Sequence, residues 1–379
     1  MAAPSKKTFT IIYHKTSSSS QTATKKIYKG NTQATKFYVG NTEVDKIFFG
    51  STLVYSKGEE EQVDNINFLT FSSPNTFTLE VVDHLQYFDG TLQYSTDATN
   101  WSVWDGTTVL SSSQSGTTKY LYMRGTNTTY ITGKTASSTK AHWVLTGSNI
   151  SCNGNIETLL DYQTVANNQH PTMADYCFDY LFSGNTKLIV APELPATTLS
   201  VRCYQKMFDG CTGLTTAPEL PATSLDSYCY SSMFYNCTSL KTAPNLPATT
   251  LADGCYSSMF YNCTSLKTAP NLPAITLPYY CYQTMFYGCT SLTTPAKMAG
   301  GTTQATAGFQ CCYRMYYGCT SLNIYASSSG HTAFYKAITY STSLSANNYR
   351  SSYQMFYNCK IDGSTSTTTY LTAGTQYYY

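Results

Sequence analysis

The segment Cys229-Tyr-Ser-Ser-Met-Phe-Tyr-Asn-Cys-Thr-Ser-Leu-Lys-Thr-Ala-Pro-Asn-Leu-Pro-Ala-Thr-Thr-Leu251 returns almost letter for letter from Cys255 to Leu277. Looser copies begin at Cys177, Cys203, Cys281 and Cys311. A Met followed by Phe or Tyr falls at Met207, Met233, Met259, Met285, Met315 and Met355. The first four are 26 residues apart, and the next gaps are 30 and 40, so the later copies carry insertions. A fixed period of this size requires an array in which each unit buries its apolar face against its neighbours.

Within one unit Leu225, Cys229, Met233 and Cys237 recur every fourth residue, and Leu240 follows. On a helix these positions make one apolar stripe. The residue before each leading Leu is Thr198, Ser224, Thr250 or Thr276, where an N-cap hydroxyl accepts a bond from an orphan N–H. The downstream Ala-Pro-x-Leu-Pro-Ala, with Pro192/Pro195, Pro218/Pro221, Pro244/Pro247 and Pro270/Pro273, cannot continue a helix. The spacing predicts a short helix, a short strand over Leu240-Lys-Thr-Ala, and a Pro-stiffened return.

Cys-Thr-Ser-Leu after a Met-Phe segment in such a repeat resembles BspA-like leucine-rich repeats. The Met-Phe-Tyr-x-Cys-Thr-Ser-Leu-x-x-Ala-Pro-x-Leu-Pro-Ala-Thr form is similar to surface proteins of gut bacteria and their phages. The resemblance covers roughly residues 175–360; it implies an architecture and is nearly silent on ligand. The fold class expected is multidomain: an N-terminal all-β arm (1–57), a β-sandwich-like module (58–150), and a short α/β leucine-rich-repeat solenoid with end caps (151–379).

Only 12% of the residues are charged, while Ser, Thr, Asn and 35 Tyr fill the surface role. That composition suits an extracellular or virion protein rather than a cytosolic enzyme. Residues 1–57 hold nine Lys against Glu43 and Asp45, a net +7 that leaves −5 for the rest. A basic arm on a mildly acidic body fits docking to an acidic surface; it equally fits a strand-rich segment using Lys to blunt its edges. Met1-Ala-Ala-Pro-Ser-Lys-Lys lacks the apolar core of a signal peptide, and no run is long enough to span a membrane. A surface-like protein without a secretion signal is expected to leave the host by lysis, as phage structural proteins do.

Twelve of the fourteen cysteines flank the Met-Phe position four residues before it (Cys177, Cys203, Cys229, Cys255, Cys281, Cys311) or after it (Cys211, Cys237, Cys263, Cys289, Cys319, Cys359); Cys152 and Cys312 are left over. If the units are helices packed ~8–10 Å apart, Cα atoms in neighbouring copies lie beyond the ~7 Å reach of a disulfide. Cys is then expected as a small buried hydrophobe in two ladders. There is no Cys-x-x-Cys, and His14, His84, His142, His170 and His331 are spread along the chain, so no metal or other cofactor is expected.

A second repeat lies in the arm: Lys26-Ile-Tyr-Lys-Gly-Asn-Thr32, Lys36-Phe-Tyr-Val-Gly-Asn-Thr42 and Lys46-Ile-Phe-Phe-Gly-Ser-Thr52 recur every ten residues. Each is a β run ended by a Gly turn, which predicts a meander of short strands. Strands this short need another domain or sister chains to cover them. The array resembles N-terminal segments of phage tail and head-fibre proteins, which implies anchoring through Lys26, Tyr28, Lys36, Tyr38, Lys46 and Phe48. Residues 63–150 alternate short strands with Gly/Asp/Asn turns and predict a small antiparallel sandwich. Trp101, Trp104 and Trp143 are expected in its core, with a sugar-stacking platform as the other reading. The tail over 361–379 either adds a strand or hangs free.

Chemistry is not evident. No Gly-x-Ser-x-Gly occurs, and Gly133-Lys-Thr135 lacks the first Gly of a phosphate loop, since position 128 is Thr. Glu193 and Glu219 fall where other copies have Asn245 and Asn271, so they read as variable surface positions. The chain is expected to be non-enzymatic. In the register expected, Leu240, Ala243 and Leu246 point inward. Lys241, Thr242, Lys267 and Thr268 then face solvent with Thr215, Thr216, Thr293 and Thr294. A second ladder runs through Asp209, Tyr235, Tyr261, Tyr287, Tyr317 and Tyr357. The candidate ligand contacts are Lys241, Thr242, Lys267, Thr268, Tyr235, Tyr261 and Tyr287. The expectation is a phage virion protein, of fibre or decoration type, bound to other virion proteins through residues 1–57 and displaying the repeats to host-surface glycan or protein. By fibre analogy it is a homotrimer, with no membrane insertion and no specific nucleic acid. The alternatives are a bacterial BspA-like surface adhesin and a purely structural decoration protein.

Overall fold

A strict four-residue period does not match the 3.6 residues of an α-helix, and the chain resolves the mismatch without forming one. In the unit around Met233, Tyr228, Ser232 and Asn236 have φ of 57°, 54° and 57°. A left-handed residue at every fourth position forbids a right-handed helix. The amides alternate in direction. Those of Cys229, Ser231, Met233, Tyr235 and Cys237 each donate to the carbonyl three residues back. Those of Tyr228, Tyr230, Ser232, Phe234 and Asn236 cross to the next copy, onto the carbonyls of Asp253, Cys255, Ser257, Met259 and Tyr261. Both sets of amides are satisfied, as burial requires. The expected helix is therefore replaced by a ribbon of turns, and the expected Ser/Thr N-caps have no helix to cap. Thr198 and Ser224 instead form a parallel bridge.

The computed structural model describes residues 66–82, 88–132, 141–299, 308–325, 353–361 and 364–366 in full, and further strands within 28–56, 306–307, 333–336 and 376–378 by their backbone. The chain is β-rich. Residues Met1–Asn65 form one unit and Ile66–Tyr379 another.

Among the described residues the first unit contains three antiparallel pairs: β1 (Tyr28–Lys29) with β2 (Thr32–Gln33), β3 (Tyr38–Val39) with β4 (Thr42–Glu43), and β5 (Lys46–Phe49) with β6 (Thr52–Ser56). The ten-residue period thus yields a run of local hairpins. Of the expected anchoring residues, Tyr28, Tyr38, Lys46 and Phe48 lie in these strands, while Lys26 and Lys36 fall outside the described residues.

The second unit opens with β7 (Leu69–Ser73), β8 (Thr78–Val82), β9 (Thr91–Ser95), β10 (Ser102–Trp104), β11 (Leu110–Ser111), β12 (Lys119–Thr126), β13 (His142–Thr146) and β14 (Ile150–Asn153). After them come α1 (Thr158–Ala166), broken at Asp161, and β15 (Leu188–Val190). One sheet has the order β10-β9-β12-β7-β14-β15 and the other β11-β8-β13. They meet through Phe71 and Trp104 on one side and Trp143 on the other, with Trp104 and Trp143 edge to face at 5.6 Å. Both tryptophans are buried, whereas Trp101 is partly exposed. Gly125 lets α1 lie against β12, because a Cβ there would sit 1.7 Å from the Leu159 carbonyl oxygen. Strand β14 pairs with β7 of the module and with β15 of the first repeat. The expected boundary at 150 is therefore crossed by a continuous sheet.

The same sheet-bearing module closes the start of the repeat stack. Ile131 and Thr132 donate to the Cys177 carbonyl, and Trp143 donates to that of Leu181. Asn185, which stands where later copies have Cys, accepts from the Leu145 amide and donates to the Trp143 carbonyl. From there the cross-copy bonds continue without a change of pattern to Gly318→Tyr357, passing the longer gaps of 30 and 40 residues. The tail contributes Gln376–Tyr378, which pairs with Ala333–Lys336. Among the described residues no helix is long and apolar enough to cross a membrane.

Direct hydrogen bonding sets the copies about 4.8 Å apart, as in a sheet. The interior rows follow from that spacing. Phe182, Phe208, Phe234, Phe260 and Phe286 stack at 5.6–5.7 Å between centroids, and Tyr204, Tyr230, Tyr256 and Tyr282 form a parallel row. The hydroxyls of these four tyrosines are buried with no hydrogen-bond partner among the described residues, a cost of about 1–3 kcal/mol each set against the burial of the rings. The expected separation of the cysteines is corrected by the same spacing: distance does not prevent disulfides here. In the second ladder direction opposes them, because Cys211, Cys237, Cys263 and Cys289 each point a thiol at a carbonyl of the preceding copy (Phe182, Phe208, Phe234 and Phe260) at 3.0–3.1 Å. All fourteen cysteines are buried. Burial raises the thiol pKa of Cys203, Cys229 and Cys255 in one ladder, that of Cys255 to about 12, and of Cys211, Cys237, Cys263 and Cys289 in the other.

The turn ribbon is tested at Ser232. Glycine removes the left-handed penalty, so Ser232→Gly should stabilise by about 0.5 kcal/mol and Ser232→Val should destabilise by about 2 kcal/mol in denaturant titrations. A helix would give the reverse for Gly, a loss of about 0.5 kcal/mol relative to Ser.

Candidate functional site

Beyond each Leu that closes a turn ribbon, the chain runs extended and forms single parallel bridges to its neighbours: Thr216↔Thr242, Thr242↔Thr268 and Thr268↔Thr294. The register is held by the Lys241 amide on the Thr215 carbonyl at 3.0 Å and the Thr293 amide on the Lys267 carbonyl at 2.9 Å. Leu240 and Leu246 are buried and Ala243 partly so; Lys241, Thr242, Lys267 and Thr268 are exposed. The prolines then turn the chain away. Buried Pro244 and Pro270 form one wall with Asn245 and Asn271, and Ser265 and Ser291 come from the ends of the ribbons. The result is an open groove of about 850 Å³ along the stack, within the ~300–1,000 Å³ range of small-molecule sites.

The structure thus brings Lys241, Thr242, Lys267 and Thr268 together. It places Tyr235, Tyr261 and Tyr287 elsewhere, in a second row outside the groove lining. Their rings are parallel, 4.4 Å apart between Tyr235 and Tyr261 and 4.5 Å between Tyr261 and Tyr287. The row continues to Tyr317 and Tyr357 at 4.7 and 5.0 Å. Each interior ring has both faces covered by its neighbours, so the row offers edges and hydroxyls rather than a flat platform. Partial burial, then the neighbouring Tyr235, raises the Tyr261 pKa. At Asp209, the start of this row, burial raises the carboxyl pKa and Lys206, 3.9 Å away, opposes it.

Two further clusters escaped the reading of the sequence. Arg124 on β12 lies over Trp101 at 4.0 Å and Tyr162 at 4.3 Å, and its Nε donates to Gln93 Oε1 at 2.8 Å. The residues come from β9, β10's leading edge, β12 and α1, so no local motif announces them. The second is a pocket of about 280 Å³ beside buried Glu157, lined also by His170, Thr197, Thr198 and Ser200. His170 Nδ1 lies 2.8 Å from Glu157 Oε2, and the Glu157 amide donates to Asn155 Oδ1 at 2.8 Å. Burial raises the Glu157 pKa above its ordinary value, while the bonds to His170 and Asn155 pull it down. Among the described residues no group of three or more His, Cys, Asp or Glu is placed to hold a metal ion.

No protein-family model matches this chain, nor does any curated protein or solved structure.

The Glu157 carboxyl makes a signed prediction. Its raised folded-state pKa contributes stability that is full below the ordinary value of 4.5 and is lost as pH rises through the folded value. Glu157→Gln keeps an acceptor for His170 without the charge. Thermal melts of the two proteins should differ little below pH 4.5 and diverge above it, wild type falling relative to the variant. Parallel curves would remove the burial argument.

Proposed function

We propose that this chain is an adhesive structural protein of a phage particle. Its first 57 residues fix it to other virion proteins, and its repeats, of BspA-like leucine-rich type, are displayed outward to host-surface glycan or protein. One observation carries the adhesive part: the open groove is built from the same positions of successive copies, so it presents the same groups at a regular step along the stack. Repeating groups at regular intervals suit a repeating ligand, and solenoid surfaces serve binding in this way. The phage assignment is supported by the resemblance of the repeat and of the ten-residue array. The protein works without catalysis in this reading, as a homotrimer by analogy with fibres.

Immunogold labelling of a lysate with antibody against residues 151–379 should mark phage particles, and light scattering of the full chain should give a trimer mass. Label confined to cell envelopes would contradict the virion assignment and favour a bacterial adhesin. A stable monomer would remove the fibre analogy.

A further inference from the structure

The groove carries a charge pattern that folding does not require. Lys241 and Lys267 hold the same place in adjoining copies, on segments about 4.8 Å apart. Among the described residues neither has a carboxylate within ion-pair distance, and no acid lines the groove. Like charges side by side on neighbouring strands destabilise. The chain is otherwise poor in charge, and its own neighbouring copies fill the position with Thr215 and Thr293. A neutral residue therefore fits, and two lysines stand there instead.

The adjacent row shows the same bias. It runs Glu193, Glu219, Asn245, Asn271, Lys297 along the stack, every one exposed. Its register is fixed by the Leu272↔Met298 bridge and by the Leu272 amide on the Lys297 carbonyl. Acids occupy the first two places, amides the two beside the groove, and a third cation follows. Carboxylates are thus replaced where they would face the lysine pair.

We propose that the groove binds a carboxylated polysaccharide. The Lys241 and Lys267 ammonium groups pair with its carboxylates, while Thr242, Thr268, Asn245 and Asn271 exchange hydrogen bonds with its hydroxyls. The proposal rests on the glycan-binding part of the function given above. A sugar acid fits better than a nucleic acid, because single strands are held by aromatic faces and Arg. The groove lining contains neither.

The test uses the full chain and a panel of acidic polymers: polygalacturonate, alginate and hyaluronate. Methyl-esterified polygalacturonate serves as the uncharged match, and an oligothymidylate as the nucleic-acid probe. At least one acidic polymer should bind, with affinity falling as salt rises, and esterification should weaken polygalacturonate binding about tenfold or more if that polymer is the one held. Lys241→Thr and Lys267→Thr should each cost about fivefold, and Asn245→Glu should weaken binding further. These variants import residues that neighbouring copies already carry, and unchanged melting curves will confirm the fold. Equal binding of the esterified polymer, indifference to the lysine variants, or equally tight oligothymidylate binding would overturn the proposal. Binding to neutral glycans unaffected by the variants would overturn it and leave glycan adhesion standing. Failure to bind any glycan, neutral or acidic, would remove both.

Discussion

Everything in the repeat stack depends on the direction in which its backbone amides point. Within each ribbon, alternate N–H groups close turns on themselves and the others cross to the next copy. A helix spends its amides internally and can only be packed against a neighbour through side chains. This ribbon keeps half of them for its neighbour. The copies are consequently stitched at sheet spacing, about 4.8 Å, rather than packed at the ~8–10 Å of helices. The left-handed residues at every fourth position, from Tyr176 to Asn358, are the local cost of that arrangement.

That spacing explains the side chains inside. Rows of identical aromatic rings can stack only if the repeat brings them within ring-stacking distance, and the 5.6 Å centroid separations along the Phe row meet that condition. It also explains why the second cysteine row is cysteine. A thiol is small enough for the site and still donates to a carbonyl of the preceding copy. Phe208 and Phe234 carbonyls thereby accept twice, from a thiol and from an amide of their own turn. Insertions are tolerated because they leave the ribbons untouched: the bonds from Thr284 to Tyr313 and from Tyr316 to Met355 span the longer gaps with the usual pairing.

The sequence made the repeat, its register and its inward-facing residues legible. Leu240, Met233, Cys229 and Cys237 are buried, and Lys241 and Thr242 are exposed, as their positions in the period imply. The helix that the apolar spacing implies does not form, because a strict four-residue period does not fit 3.6 residues per turn. The strictness of the period is the signal that separates a turn ribbon from a helix. Buried pairs at 229/230 and 233/234 keep step without the drift a helix would impose. The tyrosine row was visible as a row, but its face-to-face stacking depends on the copy spacing and so could not be foreseen. The groove walls, Pro244, Asn245, Pro270 and Asn271, come from the return segment, where periodicity says little about which way a residue faces. The Arg124 and Glu157 clusters join segments distant in sequence, which a single chain without pairing information does not connect.

The groove depends on the same ladder. Without cross-copy bonds holding Thr216, Thr242, Thr268 and Thr294 in line, Lys241 and Lys267 would have no fixed spacing to present. The most direct measurement is of scalar couplings across the hydrogen bonds in deuterated, labelled protein. The account predicts coupling between the Ser232 amide nitrogen and the Ser257 carbonyl carbon, and between Met233 and Tyr230. Couplings from Ser232 and Met233 to carbonyls four residues back in their own copy would contradict it and restore the helix.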